Sequence, residues 1–548
     1  MDRERHLRNY DLHSWTGIAL GLFVYVVALT GCFALFHHEM LSWEDPAKRL
    51  AVAENPVEIN ETFVAWINEH ADEEPVEFAR FTYPTKLEPY FVGGMTIKTE
   101  DGKSEFIEQR WDTATGAPLP ERGAGLAEWL LDFHRDLMWP EGLGGRTAGR
   151  TIVGIVGIIL MLSIVSGVIA HTKIFQELFT LRYLRSMRLK WQDTHKVLGL
   201  WGLPFYSMIS FTGAFLGVVA ILAPLVALLT FKGDQEALIE AVLGAPQEAA
   251  GVSAKMLSVD DLASVREPVS GKPVEFIVMN NWGDENARFD IYFDADTKLA
   301  SVDGYQISGV TGVHIADSQF EKVTPANRVI NAISPLHYGT YGGGGLGGIA
   351  LKVLYLGLGL SLAIITALGL MMWVERRVHG NVGACSPWVY KMLSHVTVGI
   401  AAGLPVANAG IFYLDKLYSG AETERLYWTG VTFFAVWGAS LIYAFLRRND
   451  YAATRDLLVL TGVLFVGLPL LNMQATGDAF WTAIASAHKA AGYVDIGLLV
   501  IGMLTIYGAL SLPKRRVEVS SSRVVQAPDN SDASKASVAP DMPTAPAE

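Results

Sequence analysis

Eight blocks of almost uninterrupted apolar residues leave this chain few folds to choose from. They lie near 12–36, 150–170, 198–230, 349–374, 394–413, 427–446, 456–473 and 490–512. About 20 residues at 1.5 Å each cross the hydrocarbon core of a bilayer, so such blocks read as spanning helices. The third is long enough to tilt or to run on along the interface. With 51% hydrophobic and 18% charged residues among 548, a soluble fold could not hide them. The expected fold is an α-helical integral membrane protein of about eight spans, at 10–38, 149–171, 195–231, 348–374, 393–413, 427–446, 455–474 and 488–512. The first block is too long for a cleavable signal, and no A-x-A-like site follows it.

Basic residues near span ends set orientation. Arg3, Arg5 and Arg8, the loop 172–194 with Lys173, Arg182, Arg185, Arg188 and Lys190, and then Arg376, Arg377, Lys391, Arg447, Arg448, Arg455 and Lys514–Arg516 all fall on one side if both termini are cytoplasmic. The long inserts 40–148 and 232–347 are then outside. The tail 514–548, rich in Ser, Ala, Pro and Asp, cannot bury enough surface to fold and is expected to be disordered. A net charge of −13 argues against nucleic acid as a partner. Cys32, within a span, and Cys385, in a loop, cannot pair; two cysteines cannot hold an iron–sulfur cluster, and C-x-x-C-H is absent.

An internal repeat adds the chemistry. Asp11-Leu12-His13-Ser14-Trp15-Thr16-Gly17 resembles Asp193-Thr194-His195-Lys196-Val197-Leu198-Gly199, and Thr30-Gly31 and Thr212-Gly213 each begin 17 residues after the histidine. His134 is followed 33 residues later by Gly167, and His337 by Gly369 after 32. The unit is helix, outer domain, histidine, helix, and it occurs twice in parallel. Each insert reads as a small α+β domain. Strands are expected at Phe78–Tyr83, Tyr90–Lys98 and Phe106–Trp111, then at Val274–Met279 and Phe289–Phe293, with short helices near 60–70 and 258–266. The turns Asp112–Gly116 and Asp294–Thr297 follow strands in a similar way. Spans five to eight carry few polar residues and no third copy.

An ionisable residue bordering a span is expensive, and neutral imidazole is an axial ligand of haem iron. If the two units form a pseudo-symmetric four-helix bundle, His13 could face His195 at the inner surface and His134 could face His337 at the outer. Each pair would hold one b-type haem. Gly17, Gly21, Gly199, Gly202, Gly213 and Gly217 would leave room for a flat macrocycle, and Arg146, Arg150 and Lys352 could meet propionates. Histidines at helix ends also cap carbonyls or sit among headgroups, but four repeat-matched ones weigh against that. His171 ranks next as a ligand, then His37; His395 and His488 read as structural. Gly342-x-Gly344-x-x-Gly347 mimics a dinucleotide fingerprint, yet no strand precedes it and a span follows. No folded cytoplasmic segment is large enough for a flavin, so a quinol or a separate donor would supply electrons.

The segments Leu12–Gly17, Leu29-Thr30-Gly31, Phe133–Leu137, Ser166–His171 and Leu336–Gly339 together resemble the PepSY-associated transmembrane proteins, over roughly 10–375. The inserts look like PepSY domains, including the Asp-x-x-Thr-Gly turn at 112–116. The resemblance implies iron-linked redox work at the bacterial inner membrane, because some relatives are di-haem reductases of ferric siderophores in the periplasm. It carries haem ligation onto His13, His134, His195 and His337, with His171 matching longer members. The four-helix reductases lack spans five to eight, so a siderophore substrate does not follow from the resemblance alone. The alternatives are a PepSY regulatory or binding protein without redox activity, and an iron-chelate transporter. The transporter would prefer broken helices with charged residues at mid-membrane, and the sequence shows none.

Overall fold

The computed structural model describes residues 3–512 apart from 46–48, 50, 72–75, 86–87, 99–103, 121–124, 172, 183–186, 244–247, 267, 269–270, 294–298, 300–302, 319–323, 342–345, 380–385 and 486–488. The turn at Asp294–Thr297, most of the glycine-rich entry at 342–347, Arg185, Cys385, His488 and the tail 514–548 lie outside the described residues.

The first span is α1 (Arg3–Ala34), followed by the short α2 (His37–Glu44). The first insert supplies α3 (Asn60–His70), β1 (Val76–Thr82), β2 (Tyr90–Lys98), β3 (Ser104–Asp112) and α4 (Leu126–Asp136). The second span, α5 (Gly145–Ala170), leads through α6 (Ile174–Glu177) to α7 (Met187–Trp201) and α8 (Leu203–Thr230). The second insert holds α9 (Gln235–Leu243), α10 (Val259–Leu262), β4 (Val274–Trp282), β5 (Arg288–Phe293), β6 (Asp303–Ser308), β7 (His314–Ser318) and α11 (Pro325–Tyr338). The fourth span is α12 (Leu346–His379), and a C-terminal bundle follows: α13 (Pro387–Leu417), α14 (Arg425–Arg447), α15 (Asp450–Thr476), α16 (Phe480–Ala485) and α17 (Lys489–Leu510).

Among the described residues seven helices are long and apolar enough to cross a membrane, and a bent pair makes eight if it counts as one span. That pair is the third apolar block. It reads as one helix in the sequence, but Leu189–Trp201 and Leu203–Val219 meet at 70°. Pro204, at the start of α8, has no N–H to continue the helix ladder. Gly202 at the break lies so close under the Tyr206 ring that a Cβ would collide with it.

The first four spans pack through glycine. A Cβ on Gly217 of α8 would stand 2.5 Å from Gly154 Cα and 2.6 Å from Arg150 O of α5, so two backbones touch there. Small residues allow such approach where no water drives helices together. The C-terminal bundle uses the same device, with Gly462 of α15 against Gly502 O of α17.

The two inserts each contribute α+β structure, and their strands join into one antiparallel sheet of seven, ordered β3-β2-β1-β4-β5-β6-β7. The seam is β1 with β4, where Phe78, Arg80 and Thr82 pair with Asn280, Val278 and Phe276. Ala79, Phe81, Ile277, Met279, Phe289 and Ile291 are buried together, with α3 (Phe63, Trp66, Ile67) and α10 (Val259, Leu262) in the same core. The seam is locked by reciprocal caps. The Asp260 carboxylate accepts from Asn60 N (2.9 Å), while Asn60 Oδ1 accepts from Val259 N (3.0 Å). In the Asp112–Gly116 turn Asp112 Oδ1 accepts from Ala114 N and Thr115 N, and Gly116 takes φ +69°.

Because one core serves both inserts, damage to one should reach the other. Phe81→Ala removes a fully buried ring, a change worth about 3–5 kcal/mol. Limited proteolysis should then cut within 40–148 and 232–347 at similarly increased rates. Cleavage confined to the first insert would mean that the two fold independently.

Candidate functional site

The four repeat-matched histidines stand on four different helices. His13 is on α1 and His195 on α7; His134 is on α4 and His337 on α11. The last two helices lie between the sheet and the spans in sequence, and neither was expected. Their signals were nevertheless present. Leu126, Trp129, Leu130 and Phe133 recur at helical spacing and are all buried. Thr324 and Asn327 form a capping box, with Pro325 opening α11.

Each imidazole is seated in the same way. His13 Nδ1 donates to Ser163 O of α5 (2.8 Å), His134 Nδ1 to Val27 O of α1 (2.9 Å), and His195 Nδ1 to Ile365 O of α12 (2.8 Å). His337 Nδ1 donates to Thr212 Oγ1 of α8 (2.9 Å), whose hydroxyl donates to Met208 O. A glycine lies under every ring. A Cβ on Gly167 would be 3.0 Å from the His13 ring, on Gly31 2.8 Å from His134, on Gly369 3.2 Å from His195, and on Gly213 3.0 Å from His337. The repeated glycines and the repeated histidines are thus one device, closed within each unit. A ring whose Nδ1 carries the proton presents the Nε2 lone pair outward. Among the described residues none of the four Nε2 atoms has a hydrogen-bond partner.

Across the units the rings pair. The His13 and His195 centroids are 6.1 Å apart with ring planes at 75°, and those of His134 and His337 are 6.2 Å apart at 25°. Two imidazoles on opposite sides of one metal, with metal–nitrogen bonds of about 2 Å, have centroids about 6 Å apart. Among the described residues no group of three or more His, Cys, Asp or Glu could hold a metal ion. A metal between these pairs must therefore bring its remaining ligands with it, as an iron porphyrin does. Burial lowers the pKa of His134, and burial together with the His134 ring lowers that of His337 to about 3, so both rings are neutral.

A cavity of about 1110 Å³ surrounds the His13–His195 pair. Gly17 and Gly199, one turn beyond each histidine, line it, and a Cβ on either would meet nothing within 4 Å. Arg150 follows Gly149, where a Cβ would meet Asp136 O at the end of the helix that carries His134, and Arg150 Nε is buried without a partner. The other basic candidates are engaged: Arg146 with Asp132 (2.5 Å) and Lys352 with Glu39 (2.5 Å). The ring spacing suits axial ligation of a haem at both pairs, and the cavity gives room for one at His13 and His195.

The remaining histidines are differently placed. His171 ends α5 on the cavity wall, with its Nε2 3.8 Å from Glu177. His37 Nε2 is 3.0 Å from Glu128, and His395 Nδ1 is 2.6 Å from Asp450.

An uncharacterised protein of Pseudomonas aeruginosa is 28% identical over 345 residues, covering 61% of this chain and 83% of its own length. Residues 10–376, from within α1 to the last turn of α12, match the family described as the PepSY-associated TM region. The protein is a multi-pass membrane protein of the PepSY-associated transmembrane family.

Proposed function

We propose that the protein is a b-type di-haem cytochrome of the bacterial inner membrane. It passes single electrons from the cytoplasmic side, where both termini lie, to an acceptor on the sheet-bearing side. The observation that carries this is the double pairing of seated imidazoles, each with Nδ1 satisfied and Nε2 uncommitted, at 6.1 and 6.2 Å. His13 and His195 would hold one haem, and His134 and His337 the other, with Arg150 toward a propionate. His171 remains the reserve ligand on the cavity wall. Bound haem supplies reversible one-electron transfer; the protein supplies ligands, burial and orientation.

What the chain itself does is hold the rings. The carbonyl or hydroxyl behind each Nδ1 fixes the tautomer and increases the basicity of Nε2. The helix contacts keep the ring spacing constant. The acceptor we propose is a ferric chelate such as a ferric siderophore: one electron converts Fe(III) to Fe(II), which the chelator holds less firmly. A quinol, or a separate donor protein, supplies the electrons.

Purified protein should show the absorbance of low-spin b-type haem, sharpened on reduction, with two haems per chain. A sample without haem after haem-supplemented expression ends this reading. His13→Ala and His195→Ala should lose one and the same centre, and His134→Ala and His337→Ala the other; losses that cross these pairs refute the ligand assignment. The ring angles add a spectroscopic expectation. Imidazoles at 75° leave the iron π orbitals nearly degenerate and those at 25° split them, so ferric protein should give two distinct low-spin EPR signals.

The glycine seats can be tested separately. Gly167→Val should displace the His13 ring and weaken haem affinity at that pair by about 10–100-fold, the usual effect of losing a ligand's outer support. Haem titration of the stripped protein measures it. Equal weakening at both pairs would show a general packing defect instead.

A further inference from the structure

The family match ends at residue 376, and the bundle α13–α17 begins at Pro387, so the matched region contains no account of these helices. Their contacts provide one. Helix α4, which carries His134, is one of the elements on which the C-terminal bundle packs, beside α1, α2 and α12. Trp129 and Phe133 stack on each other (4.9 Å, 15°) and both meet Phe433 of α14, at 4.4 and 4.9 Å. Phe434 adds a second contact to Phe133 at 6.0 Å. Gly430 lets the indole approach, since a Cβ there would stand 3.1 Å from Trp129 Nε1. Trp129, Phe133 and Phe433 are almost wholly buried.

The N-terminus of α4 is held as well. Glu44 of α2, itself buried, accepts from Ala127 N (2.9 Å), the acidic partner that a helix start favours. Arg425 of α14 lies beside it: a Cβ on Gly125 would be 3.1 Å from Arg425 Cδ and 3.3 Å from Glu44 Oε1. Arg425 is anchored in turn by Glu422 (2.6 Å) and Asp415 (3.3 Å). Helix α2 is tied to the same bundle, because Trp43 Nε1 donates to Asp495 of α17 (2.7 Å) and Lys416 of α13 donates to Trp43 O (2.8 Å).

The counterpart helix α11 has no such brace among the described residues. It packs on α8, and Val329 and Tyr338 are at least half exposed. The sheet-side histidines thus occupy equivalent places in the repeat but sit on unequal supports.

We propose that the C-terminal bundle is a positioning brace for the His134 ligand: through Phe433 and Phe434 on Trp129 and Phe133, and Arg425 beside Glu44, helix α14 fixes α4 and so sets the ligation of the sheet-side haem. This rests on the di-haem reading. It gives spans five to eight a task that is neither transport nor a third cofactor site.

The experiment uses full-length protein in detergent, and reads the two low-spin EPR signals together with hydrogen exchange of 126–136 and 325–338. Phe433→Ala should shift or abolish the sheet-side signal, leave the His13–His195 signal in place, and speed exchange in 126–136 but not in 325–338. Phe434→Ala, at a half-exposed position where folding is not threatened, should move both readouts less and in the same direction. Leu457→Ala is the control, buried within the bundle against Ala402 and Val406, and should move neither. The brace is overturned if both phenylalanine variants leave the sheet-side signal and the 126–136 exchange unchanged, or if Leu457→Ala reproduces their shift. Should wild-type protein contain no haem, the di-haem reading falls, while the exchange comparison still decides whether the bundle holds α4.

Discussion

A hydrogen bond from imidazole to an already bonded helix carbonyl is the interaction on which the rest of this structure depends. In lipid a ring N–H must find an acceptor, and every helix carbonyl already takes the amide four residues on. Its second lone pair is free but shielded by neighbouring side chains. Ser163, Val27 and Ile365 are each followed four residues later by glycine: Gly167, Gly31 and Gly369. The carbonyl's own bonding partner therefore lacks a Cβ, and the ring can enter beside it. At His337 the Thr212 hydroxyl stands in for the carbonyl and Gly213 provides the space. One substitution pattern, glycine opposite histidine, serves four times.

The spacing of that pattern sets the separation of the two pairs. Gly31 lies 18 residues beyond His13 on the unbroken α1. At 1.5 Å per residue this is about 27 Å, close to the thickness of the hydrocarbon core. The second unit keeps the 18-residue spacing from His195 to Gly213 but breaks its helix at Gly202. A ring carried on a segment bent by 70° cannot mirror one on a straight helix, and the His13–His195 planes stand at 75° where His134 and His337 are nearly parallel. Two copies of one sequence pattern thus yield two sites of different symmetry.

Much of this was legible beforehand. The spans declare themselves by length and composition. The sheet's second strand, Tyr90–Lys98, has the expected limits, as does the helix at 60–70. The histidines stood out because duplication separates them from the other nine. What was hidden lies where local pattern is weak or distance is long. Strands β6 and β7 are short and polar, and α4 and α11 are amphipathic helices of modest length beside far stronger apolar blocks. Pairing of β1 with β4, nearly 200 residues apart, leaves no local trace: each insert reads as complete until Phe78 is set against Asn280. The break at Gly202 was similarly masked, because hydropathy counts residues and does not see direction. Pro204 was the available sign.

The joined sheet and the glycine contacts solve one problem from two sides. Each unit seats its own histidines on its own glycines, so nothing within a unit determines how far apart the facing rings stand. That distance must come from contacts between units. Gly154 and Gly217 bring α5 and α8 to backbone contact, a spacing no rotamer change can alter. Beyond the spans, the β1–β4 seam and the Asp260–Asn60 caps tie the inserts whose chains lead into α4 and α11. For the proposed haem ligation, each ring pair has to be held within about half an ångström. Rigid links at the core of the bundle and across the sheet provide that tolerance where flexible loops between separate domains would not, which is a physical reason for the two inserts to share a single sheet.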